Sequence, residues 1–447
     1  MPSTPPSPDT PTAIDLLIEA RWIIPVEPFG VTLENHAVAV DQGRIVAILP
    51  QSEASLRYSP RQTQALSEHV LIPGLINLHT HAAMSLLRGL ADDLPLMNWL
   101  QERIWPAEAR FVSKEFVYDG TRLAAAEMLR GGITCFNDMY FFPQATASAA
   151  LELGMRAALG LVVLDFPNAY ASDAEDYLNK GLAARDALRD EALLSFCLAP
   201  HAPYTVSDST FERVLTLSEQ LDLPIHVHLH ETATEIREGR EKYGIRPLER
   251  LHRLGLLSPN LLAVHAVHLE PGEIELLATH GCSVAHCPAS NLKLASGIAP
   301  VSAMMQAGIN VGIGTDGAAS NNRLDLLAEL RLAALLAKGA SGDARSLDAH
   351  TTLRMATLNG AQALGLKDRI GSILPGKAAD LCAIKLSELE LSPCYNPVSH
   401  VVYTAGRENV SHVWVAGQLR VENGALCGAG EKDLYRLAKV WQNKIRD

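Results

Sequence analysis

Residues 224–231 read PIHVHLHE, with three histidines at alternate positions ahead of a glutamate. On a β-strand alternate side chains share a face, so His226, His228 and His230 would point the same way. Periodicity alone does not say which of them could hold a metal. The run belongs to a set of short apolar stretches: VLIPGLINLH, ITCFNDM, MRAALGLVVL, LLSFCLAP, PIHVHL, LLAVHAV, CSVAHC and INVGIGTD, starting near 70, 133, 155, 193, 224, 261, 282 and 310. Segments such as SKEFVYDGTRLAAAEMLRGG, SDAEDYLNKGLAARDALRD and SDSTFERVLTLSEQL lie between them, with polar caps and apolar residues at helical spacing. Eight strand-helix units are the number that closes a parallel (β/α)8 TIM barrel, whose active site lies at the C-terminal ends of its strands. An open doubly wound α/β sheet is the alternative that pattern alone leaves.

Outside this repeat, IDLLIEARWIIP and HAVAVDQGRIVAIL near the start are β-rich, as are GSILPGKAADLCAIKL and VSHVWVAGQLRVENG near the end. Two such ends flanking a different middle predict one discontinuous domain, because chain ends often lie close together. The expected division is a disordered tail over 1–13, a composite β-sandwich from 14–70 and 372–430, a catalytic barrel over 71–371, and a C-terminal helix over 431–447.

The 447 residues carry a formal net charge of −12, with Lys and Arg dispersed, which argues against nucleic acid as a partner. Seven cysteines without a CxxC pair point to a reducing, cytoplasmic setting. The opening MPSTPPSPDTPTA has neither the basic nor the apolar region of a secretory signal, and no apolar run suggests a membrane span. The surface neither requires nor forbids a homo-oligomer.

Metal-capable residues fall at several strand ends: His79 and His81 in LINLHTH, the 226–231 stretch, His265, and Asp316 in GIGTDGAAS. An HxH pair puts two imidazoles on one face within reach of one ion. A third imidazole and a carboxylate complete a set suited to Zn²⁺ with a position left for water. A lone strand-end histidine is more often packed or solvated than a ligand. Four matches at the ends of one barrel reverse that weighting.

The motifs PGLINLHTH, HVHLHET, VHAVHL, CPASNLKLASGIAPV and GTDGAASNNRLD resemble the amidohydrolase superfamily. From about residue 14 to 430 the chain is similar to that superfamily's 5-methylthioadenosine/S-adenosylhomocysteine deaminases. The resemblance implies a metal-dependent hydrolase with His79, His81, His228 and Asp316 as ligands, and Glu231 as the proton carrier three positions after His228. It implies that His265 and Asp316 act on the nucleophilic water and that His201 contacts substrate. His226 is then a packed neutral imidazole one pleat deeper, His230 a loop or pocket-rim residue, and His286 structural; His268 has no assigned role. Binuclear relatives bridge two metals through a modified Lys at the end of strand four. The segment here is LAPHAPY, with no Lys, so one Zn²⁺ per chain is expected, Fe²⁺ or Mn²⁺ being the alternatives. The HxE and PCxxC signature of a different class of zinc deaminases is missing from the sequence.

The implied reaction is hydrolytic loss of the adenine C6 amino group from 5′-methylthioadenosine or adenosine, with Glu231 protonating N1. The loop after strand one contains Trp99, Trp105 and Glu108. The resemblance puts Trp99 on the 5′-substituent and Glu108 on the ribose hydroxyls. Relatives that take S-adenosylhomocysteine commonly hold its tail with Arg after strand three. Here that segment reads DFPNAYASDAEDY, with four acids and no Lys or Arg, which predicts repulsion of the tail's carboxylate. Arg88, Arg103 and Arg110 are the other cations that could meet it. Competing readings are a deaminase or chlorohydrolase acting on guanine, cytosine or a triazine, which would lack the nucleoside clamp, and a non-catalytic scaffold. The last is weakest, because neither a ligand nor Glu231 is missing.

Overall fold

Each of the eight apolar runs contributes a strand to one sheet. In the computed structural model, which describes residues 11–428 and 430–446, the chain opens with β1 (Thr12–Ile23), β2 (Leu33–Asp41), β3 (Arg44–Pro50) and β4 (Tyr58–Pro73). It continues through β5 (Leu75–Thr80), β6 (Ile133–Tyr140), β7 (Arg156–Val163), β8 (Leu194–Pro200), β9 (Ile225–Leu229), β10 (Leu261–His265), β11 (Ser283–His286) and β12 (Asn310–Ile313). It closes with β13 (Leu381–Lys385), β14 (Val410–Val415), β15 (Gln418–Glu422) and β16 (Ala425–Leu426). The expected tail at 1–10 lies outside the described residues, and Thr12 and Ala13 already belong to β1.

Strands β5 to β12 are parallel and pair in sequence order. The two edges of this sheet then meet. Asp316 N donates to His79 O at 3.0 Å, and Thr315 N donates to the Asn77 side chain at 2.9 Å. This approach needs glycine: a Cβ at Gly314 would lie 2.8 Å from His79 N, and one at Gly312 2.5 Å from the Leu78 side chain. The fold is the (β/α)8 barrel, and its seam brings His79 and Asp316 side by side.

The run at 70–79 proves to be two strands rather than one. It breaks at Gly74, where a Cβ would stand 2.1 Å from Thr134 Oγ1 and where Gly74 N donates to Asp380 O at 2.9 Å. Upstream of that break, β4 pairs with β1 and β13 in a mixed eight-stranded sheet ordered β16-β15-β14-β13-β4-β1-β2-β3. Both chain ends therefore build the second sheet. It curls over a core of Ile18, Ile23, Val38, Ile45, Leu66, Leu381 and Trp414, and Ile45 N donates to Lys377 O at 2.9 Å where it folds back on itself. A buried ion pair, Arg156 Nε to Asp380 Oδ2 at 2.9 Å, ties it to the barrel.

The polar residues ahead of the helical segments act as caps, each contributing about 1 kcal/mol. Ser113 accepts from Phe116 N, Asp173 from Asp176 N, Ser207 from Thr210 N and Thr232 from Glu235 N. The helix Lys114–Arg130 buries Phe116, Val117, Thr121, Ala124, Ala125 and Met128, the apolar stripe that helical spacing predicts. The C-terminal helix Glu431–Arg446 packs on it through Trp441, whose ring stands edge-on to Phe116 at 5.3 Å and whose Nε1 donates to Asp119 at 2.8 Å. Among the described residues no helix is long and apolar enough to cross a membrane.

Candidate metal centre and active site

Metal-capable side-chain atoms gather at the top of the barrel in two groups that share His79: His79, His81 and Asp316, and His79, His228 and His265. His79 and His81 leave the end of β5, His228 lies on β9, and Asp316 follows β12. Asp316 Oδ1 stands 3.4 Å from His79 Nε2 and 3.3 Å from His81 Nε2, and His79 Nε2 stands 3.3 Å from His228 Nε2. Donors held at about 2.0–2.1 Å around one tetrahedral ion stand about 3.3 Å apart, so the residues fit a divalent metal. The outer nitrogens fit it too. His81 Nδ1 donates to Met139 O at 2.6 Å and His228 Nδ1 to His201 O at 2.7 Å. Both Nε2 lone pairs are thereby turned to the centre. His79 Nδ1 and His226 Nε2 share a hydrogen bond at 3.0 Å.

Electrostatics favour deprotonated donors. Burial pushes the His79 imidazole down to about 4 and holds His228 well below its usual range. Burial alone would raise the Asp316 carboxyl, but the His79 hydrogen bond and the neighbouring imidazoles pull it well below the carboxylate range. Its Oδ2 accepts from Ser290 Oγ at 2.6 Å and Ser320 Oγ at 2.8 Å. Asp316 and His265 leave their strands at φ 61° and 72°, left-handed conformations that cost about 1–3 kcal/mol each for a residue with a side chain. Such strain collects at functional sites, and here it turns both side chains inward.

Beside the four donors stand the two groups suited to proton traffic. Glu231 is 5% exposed, and burial, reinforced by repulsion from Asp316, raises its carboxyl to about 8. A neutral acid at pH 7 is the form that can give a proton away. His265 donates from Nδ1 to Asn291 Oδ1 at 2.8 Å, so its neutral form offers the Nε2 lone pair to the site. Its Nε2 lies 3.7 Å from Glu231 Oε2, too far for a hydrogen bond between them. Glu231 N and His230 N both donate to the Glu235 carboxylate, at 2.8 and 2.9 Å, which fixes the turn that presents Glu231.

A cavity of about 520 Å³ opens over this floor and is lined by every predicted site residue except the fully buried His79: Trp99, Glu108, His201, Glu231 and the rest. Trp99 is 5% exposed and donates to Ala91 O at 3.2 Å. It sits at the end of Leu96–Trp99, which runs on through a π turn, Leu100–Ile104, into the helix Trp105–Phe111 carrying Glu108. Trp105 meets Phe166 edge-on at 6.3 Å across the outer cavity.

His230 lies in the loop just past the end of β9, as expected, but not at the pocket rim. It is fully buried and does not line the cavity. With φ 56° it turns away from the face of His226 and His228, and its Nε2 accepts from Leu248 N at 3.0 Å at the start of the helix Pro247–Arg253. The acidic-segment expectation also changes. None of Asp165, Asp173, Glu175 and Asp176 lines the cavity: Asp165 accepts from Ser207 N and Thr210 Oγ1, Asp173 caps a helix, and Asp176 pairs with Lys180. His286 is buried away from the cavity, with Nδ1 unpartnered. The sequence reading missed Tyr140, which donates to Glu108, together with Ser290, Asn291 and Ser320, which orient Asp316 and His265. Ser290 and Asn291 lie in the quoted motif CPASN, but their partners are 26 residues away and only the fold reveals them.

The amidohydrolase family model matches residues 70–420. A 5-methylthioadenosine/S-adenosylhomocysteine deaminase of Teredinibacter turnerae is 48% identical over 97% of this chain and 98% of its own length; one of Aquifex aeolicus is 39% identical over 91% and 94%. Among solved structures, an adenosine deaminase from Xanthomonas campestris with bound zinc is 51% identical, with a TM-score of 0.97 over 98% of this chain and 100% of that one. Atrazine chlorohydrolase from Arthrobacter aurescens, complexed with zinc, is 26% identical, with a TM-score of 0.87 over 96% and 100%. Alike in fold and in sequence over nearly its whole length, the chain belongs to the amidohydrolase family, among the 5-methylthioadenosine/S-adenosylhomocysteine deaminases.

Proposed function

We propose that this chain hydrolyses the C6 amino group of 5′-methylthioadenosine and adenosine, using one Zn²⁺ held by His79, His81, His228 and Asp316. The observation that carries the reading is a buried Glu231, its carboxyl raised to about 8, on the floor of one cavity with His81, His228 and Asp316, and with His79 directly beneath them. When bound, the ion supplies a water acidified to near neutrality as nucleophile. His265, its Nε2 lone pair turned inward by Asn291, and ionised Asp316 accept from the nucleophile and aim it at C6. Glu231 gives its proton to N1, which draws electrons from C6 as the new C–O bond forms. The proton taken up from the nucleophile by His265 and Asp316 passes to the C6 amino nitrogen, the C–N bond breaks, the remaining C6 hydroxyl proton returns to Glu231, and ammonia leaves an inosine-type product. His201 borders the purine, Trp99 the 5′-substituent, and Glu108 accepts from the ribose hydroxyls, a contact that a free base or a triazine cannot make. A single ion is favoured because β8 ends at Pro200 with His201 following, and no Lys stands there to bridge a second.

Discrimination against S-adenosylhomocysteine rests on the cavity wall rather than on repulsion by acids. Among the described residues no Lys or Arg lines the cavity, and its outer part is Trp105, Leu164, Phe166 and Pro167. Arg88 is engaged by Glu127, and Arg103 and Arg110 are exposed outside the lining. An amino-acid tail would lose water there with no counter-charge in return. The expected kcat/KM for 5′-methylthioadenosine exceeds that for S-adenosylhomocysteine by at least about tenfold, the effect of one unmatched charge contact. Ammonia release and the ultraviolet change on adenine-to-hypoxanthine conversion, measured with both nucleosides, adenosine and guanine, test the reaction and the ranking together. Equal turnover of the two 5′-thio nucleosides overturns the ranking; inactivity on all the nucleosides with zinc bound overturns the reaction.

A further inference from the structure

Glu108 enters the cavity from the helical stretch that follows the loop after β5, and among the described residues its carboxylate has one hydrogen-bond partner. That partner is Tyr140, whose Oη donates to Oε1 at 2.6 Å. Tyr140 is the last residue of β6 and is 5% exposed, its ring 6.4 Å from that of His81 and 5.1 Å from that of Phe141. The neighbouring Met139 gives the carbonyl that orients His81. One strand end thus touches both His81 and the Glu108 carboxylate.

A glutamate side chain has three torsions to order, and a carboxylate that must accept from two adjacent hydroxyls needs its plane held. A phenol donating to one oxygen holds that plane. It uses one lone pair of Oε1 and leaves Oε2 and the second Oε1 lone pair for two donors. We infer that Tyr140 is a positioning residue that fixes the Glu108 carboxylate for a cis-diol, so that preference for ribonucleosides depends on the tyrosine hydroxyl. This rests on the reading of Glu108 as the ribose contact.

The test compares wild type, Tyr140→Phe, Tyr140→Met, Glu108→Gln and the Tyr140→Phe/Glu108→Gln double variant on adenosine and 2′,3′-dideoxyadenosine, with metal content and melting temperature recorded. Both Tyr140 variants raise KM for adenosine by about tenfold, the usual loss for a hydrogen bond to a charged group. Their kcat stays within about threefold, and KM for the dideoxynucleoside, which has no diol to hold, moves by less than about threefold. In the double variant the loss on adenosine matches that of Glu108→Gln alone, because the tyrosine acts through that carboxylate. A Tyr140 effect equal on both substrates, or none on adenosine while Glu108→Gln still separates the two, overturns the inference and leaves the ribose contact standing. Failure of Glu108→Gln to separate them overturns the ribose contact, and the role of Tyr140 falls with it.

Discussion

Glu231→Gln lowers kcat by about 10²–10⁴-fold, the range for losing a general acid, while the protein keeps its full metal content and binds the nucleoside with little change. Glutamine has the size and the hydrogen-bonding ends of the protonated acid but no proton to release to N1. Retained binding with lost turnover is therefore the signature of the role, and retained turnover would remove Glu231 from the chemistry. Two pH effects follow. Burial lifts this carboxyl from 4.5 to about 8, so the competent neutral form is lost as pH climbs through about 8, and the rate falls there. The residual rate of Glu231→Gln has no such limb.

The same shift has a sign for stability. Because the folded state holds this proton where the unfolded chain releases it, stability contributed by the neutral group is lost as pH rises from about 4.5 to about 8. The glutamine variant never ionises. Its melting temperature should exceed that of wild type by a margin that grows between about pH 5 and pH 8. Calorimetry across that range checks it, and a margin that stays flat with pH would mean that Glu231 is ionised in the resting protein.

What could be read from the chain alone was set by local pattern, and what could not was set by distant partners. Alternation puts His226, His228 and His230 on one face only while the strand lasts. β9 ends at Leu229, and the backbone turns left-handed at His230, so the third histidine leaves the face and serves a helix start 18 residues on. The resemblance implies His228 as the ligand with His226 one pleat deeper, and His79 stands 3.3 Å from the first and is hydrogen-bonded to the second. The eight barrel strands were legible because each is a short apolar run bounded by turn residues. The break at Gly74 was not, because the reason for it is Thr134 on a neighbouring strand. Counting acids in the 165–177 segment gave a charge but not a direction, and caps and ion pairs turn those carboxylates away from the cavity. Tyr140 stands one residue past the run read as ITCFNDM, and nothing near it in sequence hints at Glu108, 32 residues earlier.

On the proposed reading, removal of the metal with a chelator is expected to abolish turnover and one equivalent of Zn²⁺ per chain to restore it, with Fe²⁺ or Mn²⁺ restoring it in part. Without a cation the site is unfavourable. His79 and His228 turn ring nitrogens toward each other at 3.3 Å, and burial drives both toward the neutral form. Asp316 remains ionised beside them. A single positive centre relieves all three at once, so the metal-free protein also melts at a lower temperature. The stabilisation by zinc grows with its free concentration, reaching about 4 kcal/mol at a thousandfold excess over the dissociation constant. His228→Ala takes away one donor and should bind zinc at least about tenfold more weakly, the least effect expected even of an outer-shell change. Metal analysis after dialysis separates the outcomes. Two ions per chain would call for a bridging group that the end of β8 does not supply, and full activity with no ion would make the four donors a structural knot and leave Glu231 to work without a nucleophile.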